Sequence, residues 1–205
     1  MKVLIINGSP HSKGNTAIAL EEMSRQFEKN GIETEIITIG NKAIRGCIAC
    51  RSCAATGKCV FDDEVNKIAE IFEQADGLVI GTPVYYASAN GTLISLLDRL
   101  FFSTKFEKRM KVGASVVVAR RGGLSATFDE LNKYFTICGM PVASSQYWNS
   151  VHGRDPGEAE QDEEGLQTMR ALADNMSFLI KSIALGKEAF GLPERESWTP
   201  TNFIR

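Results

Sequence analysis

Short continuous apolar runs alternate along the chain with longer segments whose apolar residues recur at helical spacing. An uninterrupted apolar run such as Val3-Leu4-Ile5-Ile6 is typical of a parallel strand that is covered on both faces. Strands are predicted over 3–7, 34–39, 77–82, 112–119 and 141–147, of which the last is the least regular. Helices are predicted over 15–30, 62–75, 91–103, 124–138 and 162–185, with Asp62 and Asp63 suited to the start of the second.

The order of these elements predicts the fold. Each interval between strands is long enough for a helix, and crossovers between parallel strands are right-handed. The chain is therefore predicted to be an α/β protein of the flavodoxin-like kind, with a doubly wound five-stranded parallel sheet and helices on both faces. Ligands in such folds bind beyond the carboxyl ends of the strands, so the site is expected in the loops there.

Composition agrees with a single globular domain. The chain has 205 residues, of which 43% are hydrophobic and 23% are charged. We expect one flavodoxin-like domain over 1–186, followed by a tail over 187–205. The tail carries Trp198, Phe203 and Ile204, and it is predicted to pack on a partner subunit, with a frayed terminus as the alternative.

Charge and hydropathy exclude several classes of partner. A formal net charge of −2 gives no reason to expect binding to nucleic acid. The apolar runs end well before membrane length and the N-terminus has no signal-peptide pattern, so we expect no membrane partner and a cytoplasmic location. In that compartment the five cysteines are expected to be reduced thiols or metal ligands.

The loop after the first strand gathers small polar residues where a helix begins. Its members are Gly8, Ser9, Pro10, Ser12, Gly14, Asn15 and Thr16. Hydroxyls and open backbone N–H groups at a helix start attract anions. The loop has Asn15 where a P-loop has Lys, and it lacks the G-x-G-x-x-G spacing of dinucleotide sites. It is therefore predicted to be a neutral cradle for a small phosphate, and the alternative is a simple helix cap.

Two further loops are expected at the same edge of the sheet. The stretch TPVYYASANG over 82–91 offers proline and tyrosine surfaces suited to a planar ring. The stretch ARRGG over 119–123 adds glycine backbone and two cations, which would stabilise negative charge on a reduced ring. Flavin mononucleotide (FMN) would satisfy all three loops. The alternatives are tyrosines at a dimer contact, arginines in surface ion pairs and glycines in turns.

A cysteine-rich loop over 46–60 carries four of the five cysteines. Its motif is Cys47-x2-Cys50-x2-Cys53-x5-Cys59. The first three share the tight spacing of bacterial ferredoxins, whereas structural zinc usually separates two ligand pairs by a longer stretch. The spacing favours a [4Fe-4S] cluster, with zinc, reversible disulfides and a metal-free loop as the alternatives. The fifth cysteine, Cys138, is predicted to be a buried small hydrophobe.

These motifs together resemble a known family. The Gly-Ser-Pro-x3-Gly-Asn-Thr loop, the Thr-Pro-Val-Tyr-Tyr loop, Leu96-Leu97-Asp98-Arg99 and the cysteines are similar to those of the NADPH-dependent FMN reductases. The spacing before Cys59 resembles that of their iron-sulfur flavoprotein branch in particular. The resemblance spans most of the chain, and it implies a flavodoxin-like fold, bound FMN and a homodimer or homotetramer with flavins near subunit interfaces.

The resemblance also implies roles for individual residues. By matching position, the phosphate would be held by Ser9, His11, Ser12, Asn15 and Thr16. The ring would contact Pro83, Val84, Tyr85 and Tyr86, and its pyrimidine end would contact Ala119, Arg120, Arg121 and Gly122. A cluster would be ligated by Cys47, Cys50, Cys53 and Cys59. The cofactor carries the chemistry, so neither His11 nor His152 is needed as a catalytic base.

Two redox functions follow from this interpretation. The leading one is an oxidoreductase in which NAD(P)H reduces FMN and the electrons pass to a quinone, flavin, azo or nitro acceptor. The alternative is an electron carrier that links ferredoxin to an acceptor through a [4Fe-4S] cluster and FMN. A third, non-redox function as a phosphate-binding module would require a colourless protein that takes up no flavin.

Overall fold

A computed structural model of the chain describes residues 1–201 and 203. Its strands are β1 (Lys2–Asn7), β2 (Glu33–Thr38), β3 (Gly77–Tyr85), β4 (Ser88–Ala89), β5 (Val112–Ala119) and β6 (Ser150–His152). Five of them form a parallel sheet in the order β2-β1-β3-β5-β6, and β4 pairs antiparallel with the end of β3. Without the short β4, this is the strand order of flavodoxins. The predicted doubly wound α/β fold is confirmed.

Six helices accompany the sheet in the described part of the chain. They are α1 (Asn15–Lys29), α2 (Cys53–Thr56), α3 (Glu64–Gln74), α4 (Gly91–Ser103), α5 (Leu124–Ile137) and α6 (Glu163–Phe190). A short 3-10 turn over Glu158–Gln161 precedes α6. Residues of α1 and α6 pack in one core, and residues of α3, α4 and α5 pack in the other. No helix in residues 1–201 is long and apolar enough to cross a membrane.

The continuous apolar strands supply both cores because successive side chains point to opposite faces of the sheet. In β1, Val3 and Ile5 belong to the core beneath α1 and α6, whereas Leu4 and Ile6 belong to the core beneath α3 and α4. This arrangement leaves the carboxyl ends of β1, β3 and β5 side by side at one edge of the sheet.

The predicted strand over 141–147 is wrong in its position. The fifth parallel strand is Ser150–His152, and the earlier segment contributes one isolated bridge between Gly113 and Val142. Ser145 Oγ lies 2.6 Å from the Tyr147 carbonyl oxygen and 2.7 Å from Asn149 Oδ1. Such local side-chain hydrogen bonds compete with strand pairing, so the chain leaves the sheet before it returns at Ser150.

The start of α3 and the end of α6 can be compared with the predictions from the sequence. Asp63 caps α3 by accepting a hydrogen bond from the Val65 N–H at 3.1 Å, in agreement with its predicted role. Helix α6 continues to Phe190 and so crosses the predicted domain boundary at 186. Residues 191–201 and 203 lie outside helices and strands, and Trp198 and Phe203 are exposed on this chain. Ile204 lies outside the described residues, and the packing of the tail on a partner stays a prediction.

Candidate functional site

The loops after β1, β3 and β5 meet in one cleft of about 600 Å³ at the carboxyl end of the sheet. This volume is usual for a cofactor site. Most of the predicted cofactor-binding residues line the cleft. They are Ser9, His11, Ser12, Asn15, Thr16, Pro83, Val84, Tyr85, Ala119 and Arg120. The fold therefore brings residues from three separate loops into one concave surface.

The loop between β1 and α1 is shaped by its own hydrogen bonds. The Ser9 N–H donates to Asn7 Oδ1 at 3.0 Å, and the His11 N–H donates to Ser9 Oγ at 3.1 Å. Gly14 N–H then donates to the His11 carbonyl oxygen at 3.1 Å. The chain after β2 packs against this loop at Gly40, where a Cβ would lie 2.1 Å from the Ser9 carbonyl carbon. Only glycine permits so close an approach.

The N-terminus of α1 opens into the cleft without a side-chain cap. Gly14 is the N-cap residue, and no acidic residue stands in the first turn. In contrast, the side chains of Asp63, Asn90 and Asp162 cap α3, α4 and α6. The first N–H groups of α1 are therefore available to a ligand, and a helix N-terminus favours an anion.

Three basic side chains, Lys13, Arg120 and Arg154, line the same cleft. The cleft is therefore cationic rather than the predicted neutral cradle, which suits a phosphate carrying negative charge. Of these three residues, only Arg120 was assigned a role from the sequence. Lys13 lies in the loop between β1 and α1 and Arg154 lies two residues after His152, so their positions in these two loops were the signal that was missed.

The Asn15 side chain binds the chain that follows β6. Its Nδ2 donates to the Asp155 carbonyl oxygen at 3.0 Å, and its Oδ1 accepts from the Ala159 N–H at 3.1 Å. Gly153 packs against the same amide group. These contacts fix the 153–159 segment beside the start of α1, so Asn15 shapes the wall of the cleft. A direct contact between its amide and a phosphate stays a prediction.

Strands β3 and β4 form a tight hairpin beside the cleft. The turn residues Tyr86 and Ala87 have φ values of 53° and 59°, as in a type I′ turn. Ser88 Oγ donates to the Glu130 carboxylate of α5 at 2.9 Å, which holds the hairpin in place. The turn separates the two tyrosines, because Tyr85 lines the cleft while Tyr86 is fully exposed and does not line it.

The loop 119–123 also divides between two surfaces. Arg121 and Gly122 line a neighbouring hollow of about 360 Å³, together with Tyr147, Trp148 and His152. The structure therefore does not bring Arg121 and Gly122 into the cleft with Arg120. The division follows from the backbone, which turns away from the sheet where β5 ends at Ala119.

Gly123 allows the loop 119–123 to touch the hairpin. Its φ is +90°, and a Cβ at this position would lie 2.8 Å from Ala87 Cα and 2.9 Å from Val84 Cγ1. A larger residue would be strained and would force the hairpin away from the loop. This contact fixes the hairpin against the loop 119–123.

The two histidines make different contacts. His11 is exposed in the loop between β1 and α1. The backbone N–H of His152 donates to Asp162 Oδ2 at 2.6 Å, and its Nδ1 lies 3.4 Å from the same oxygen. Because Asp162 also caps α6, these contacts join the end of β6 to the last helix.

The four cysteines of the 46–60 loop line a second pocket, which lies against α4. All four are free thiols: Cys47 and Cys50 are exposed, and Cys53 and Cys59 are partly buried. The pocket is completed by Ile48, Arg51, Val60, Phe61, Arg99, Phe102 and Ser103. Within residues 1–201 and 203, no three His, Cys, Asp or Glu side chains converge closely enough to hold a single metal ion.

Hydrogen-bond donors lie beside three of the four sulfur atoms of this loop, those of Cys47, Cys50 and Cys59. Ala49 has a φ of 54°, and its N–H donates to Cys47 Sγ at 3.4 Å. The Ser52 side chain and backbone lower the pKa of the exposed Cys50 thiol by hydrogen bonding. Thiolates that receive hydrogen bonds are the usual ligands of iron–sulfur clusters. The four thiols do not converge on one point, but each ligand of a [4Fe-4S] cluster binds a different iron ion, so the thiol chemistry of the pocket fits a thiolate-bound cluster.

Arg99 of α4 is the buried cation of this pocket, with only 1% of its surface exposed. Its guanidinium makes a bidentate ion pair with Asp63, in which Nη1 lies 2.7 Å from Oδ2 and Nη2 lies 2.8 Å from Oδ1. The Nε–H group of Arg99 donates to Cys59 Sγ at 3.2 Å. Burial opposes the charge, but these hydrogen bonds raise the pKa of Arg99. Burial also opposes ionisation of Asp63, yet Arg99 and the Val65 N–H hold the pKa of this carboxyl below its usual range.

Cys138, predicted to be a buried small hydrophobe, is partly buried and packs against the core of α3, α4 and α5. It occupies the C-cap position of α5, which leaves it partly exposed. Burial raises the pKa of its thiol. Cys138 does not line the cysteine pocket, so it provides a control thiol for the four that do.

The cleft and the cysteine pocket share no lining residue. Helix α4 begins at Gly91, just after the hairpin, and Arg99 lies about 12 Å further along its axis. Within one chain the two pockets are therefore separate.

Comparison with known proteins decides the family. Residues 1–155 match the sequence model of a family described as NADPH-dependent FMN reductase, which is more than half of the chain. The chain belongs to the NADPH-dependent FMN reductase family. An iron-sulfur flavoprotein of Methanocaldococcus jannaschii is 35% identical over 191 residues, which cover 89% of this chain and 99% of that relative. The predicted family is thereby confirmed.

Solved structures agree with this family membership at the level of the fold. A structure of RosB with bound 8-demethyl-8-formylriboflavin-5'-phosphate has a TM-score of 0.72 at 18% identity and covers 100% of this chain and 92% of RosB. A flavodoxin from the domain Archaea has a TM-score of 0.60 at 14% identity and covers 88% of this chain and 99% of the flavodoxin. As a member of the NADPH-dependent FMN reductase family, this chain therefore has a flavodoxin-like fold.

Proposed function

We propose that the chain is an FMN-dependent NAD(P)H oxidoreductase that passes electrons to a quinone, flavin, azo or nitro acceptor. The observation that supports this function is the polarity of the cleft. Part of its lining is the uncapped N-terminus of α1 with Lys13 and Arg154, and another part is Pro83 and Tyr85. A phosphate suits the first part, and the face or edge of a flat aromatic ring suits the second.

The residues of the cleft then have defined tasks. The α1 N–H groups, Ser9, Ser12 and Thr16 would hold the phosphate, while Asn15 would keep the 153–159 segment in position. The hairpin would support the ring, and Arg120 would lie near its polar edge. Bound FMN would supply the redox chemistry by accepting hydride from a nicotinamide, so the protein needs only to orient the two partners.

A second function is favoured by the cysteine pocket. Four thiols line one pocket beside a buried cation, and the curated Methanocaldococcus jannaschii relative is named an iron-sulfur flavoprotein. For this electron-carrier function, a [4Fe-4S] cluster is ligated by Cys47, Cys50, Cys53 and Cys59. Electrons enter from a partner such as ferredoxin. Because the two pockets of one chain are separate, the flavin that exchanges electrons with the cluster would be that of a neighbouring subunit. The cytoplasmic location stays a prediction.

One set of variants tests both functions. The protein is purified without oxygen, with iron and sulfide supplied, and its flavin, iron, sulfide and rate of NAD(P)H oxidation are measured. Replacement of Cys47, Cys50, Cys53 or Cys59 by Ser should remove most of the iron while the flavin absorption remains, because thiolate ligation is specific to the cysteine pocket. Cys138→Ser should retain the iron, since Cys138 lies outside that pocket.

The outcomes separate the candidates. Rapid NAD(P)H oxidation without iron would favour the reductase. Stoichiometric iron with poor NAD(P)H oxidation would favour the electron carrier. A colourless protein that takes up no added FMN would contradict both functions and leave the phosphate-binding module.

A further inference from the structure

Arg99 makes more contacts with the cysteine loop than a structural ion pair requires. Its two terminal nitrogens contact Asp63, and Nη1 also donates to the Arg45 carbonyl oxygen at 3.2 Å. The remaining donor, Nε, points to Cys59 Sγ at 3.2 Å. The guanidinium also lies over the Phe61 ring, 5.2 Å from its centroid. These contacts fix the orientation of the guanidinium, so its Nε–H group is directed at the Cys59 sulfur.

Ser103 lies one helical turn after Arg99 and lines the same pocket. It is 3% exposed, and its Oγ has no hydrogen-bond partner among residues 1–201 and 203. Its neighbour Thr104 does have one, since Thr104 Oγ1 donates to the Leu100 carbonyl oxygen at 2.6 Å. A buried hydroxyl without a partner is unfavourable unless a further acceptor occupies the site. The sulfur-lined pocket is the place for that acceptor.

We infer that Arg99 and Ser103 are positioning residues that donate hydrogen bonds to the sulfur atoms of the [4Fe-4S] site and raise its reduction potential. This inference rests on the cluster proposed above. One-electron reduction adds one negative charge to the cluster and its thiolates, and nearby N–H and O–H donors stabilise that charge. The carboxylate of Asp63 balances the charge of Arg99, so the effect on the sulfur comes mainly from the fixed N–H dipole.

The test compares Arg99→Lys and Ser103→Ala with the unaltered protein. Arg99→Lys keeps the positive charge but loses the Nε donor and the bidentate contact with Asp63. Ser103→Ala removes only a hydroxyl group. Each anaerobically purified protein is titrated with dithionite, which supplies the electron, while the cluster is followed by electron paramagnetic resonance. We expect each substitution to lower the equilibrium constant for reduction by about tenfold, which corresponds to 59 mV for a one-electron couple.

Two internal controls accompany the titration. The flavin of the same sample should keep its potential, because the cleft and the cysteine pocket share no lining residue. Arg25→Lys should leave the cluster potential unchanged, since Arg25 forms an exposed ion pair with Glu22 on α1.

Each result decides the inference. A lower cluster potential in both variants supports it, as does a lower potential in Ser103→Ala when Arg99→Lys loses iron but keeps its flavin. An unchanged potential in Ser103→Ala and Arg99→Lys, with full iron content, overturns the inference and leaves the proposed function intact. An unaltered protein that holds flavin but no iron overturns both the cluster and the inference.

Discussion

At the residue scale, the side chains around the cleft differ in whether the fold already uses their hydrogen bonds. Both polar atoms of the Asn15 amide are paired with the 153–159 segment. Ser9 Oγ accepts a hydrogen bond from the loop, while Lys13 lines the cleft as a cation. The electrostatic attraction for a phosphate is therefore expected from Lys13, Arg154 and the α1 N-terminus more than from the Asn15 amide.

Replacement of Lys13 tests this expectation. Lys13→Gln should weaken the binding of FMN by up to about tenfold, or 1.4 kcal/mol, because it removes a positive charge beside the phosphate. The affinity for riboflavin, which has no phosphate, should change much less. Both affinities can be measured by quenching of flavin fluorescence on titration with apoprotein.

Lys29→Gln is the matched control for this prediction. Lys29 lies at the opposite end of α1, so both affinities should be unchanged. An equal loss of FMN and riboflavin binding in Lys13→Gln would contradict the placement of the phosphate.

At the element scale, the packing of α1 on α6 includes a charged contact. Glu22 of α1 accepts hydrogen bonds from Arg170 of α6 and from Arg25, each at 2.5 Å. Burial opposes ionisation of Glu22, but the two arginines outweigh this effect and lower the pKa of its carboxyl group. The stabilising contribution is therefore present above the unfolded-state pKa of about 4.3, and it is lost as the pH falls through the lower folded-state value.

The pH dependence of stability should show this contact. At about pH 7, Glu22→Gln should lower the free energy of unfolding by about 0.2–1 kcal/mol, because the contact lies near the surface. At an acidic pH below the lowered folded-state pKa, Glu22 is protonated in the folded and in the unfolded protein, so the difference should largely disappear. Urea denaturation followed by circular dichroism at the two pH values measures it.

Glu28→Gln is the control, since Glu28 is exposed on the same helix and makes no ion pair among the described residues. Its effect should be small at both pH values. A pH-independent difference for Glu22→Gln would show that the contact stabilises the protein by packing rather than by charge.

At the scale of the whole molecule, the last helix leaves apolar side chains uncovered. Phe178 and Leu185 are seven residues apart on α6 and are 72% and 67% exposed. Phe190, Trp198 and Phe203 continue this exposed apolar surface in sequence. An apolar surface of this kind is typical of a protein contact, which agrees with the proposed homodimer or homotetramer.

Substitutions on α6 test the proposed assembly. Phe178→Ser combined with Leu185→Ser should shift the protein toward the monomer at a given concentration, because the contact loses apolar burial. Sedimentation equilibrium measures the shift. Ile137→Ser, an exposed apolar position on α5, should leave the assembly unchanged. An unaltered protein that sediments as a monomer would contradict the assembly and also the exchange of electrons between subunits.

The local pattern of the sequence was enough to predict most of the elements and their order, but not the short α2 and β4. The apolar runs predicted as strands over 3–7 and 112–119 correspond to β1 and β5, because burial periodicity acts over a few residues. Asp63 was predicted at the start of α3 for the same reason, since capping is also a local interaction. The strand at 150–152 was missed, since local hydrogen bonds around Ser145 override an apolar pattern that was already irregular.

The membership of each pocket was decided by the tertiary structure alone. Tyr85 and Tyr86 are neighbours in sequence, yet the strained turn places only Tyr85 in the cleft. Arg99 was visible in a motif, but its burial and its approach to Cys59 depend on a loop forty residues earlier. Sequence spacing determines which residues share an element, whereas contacts between distant loops depend on how the elements pack, and no local pattern encodes that geometry.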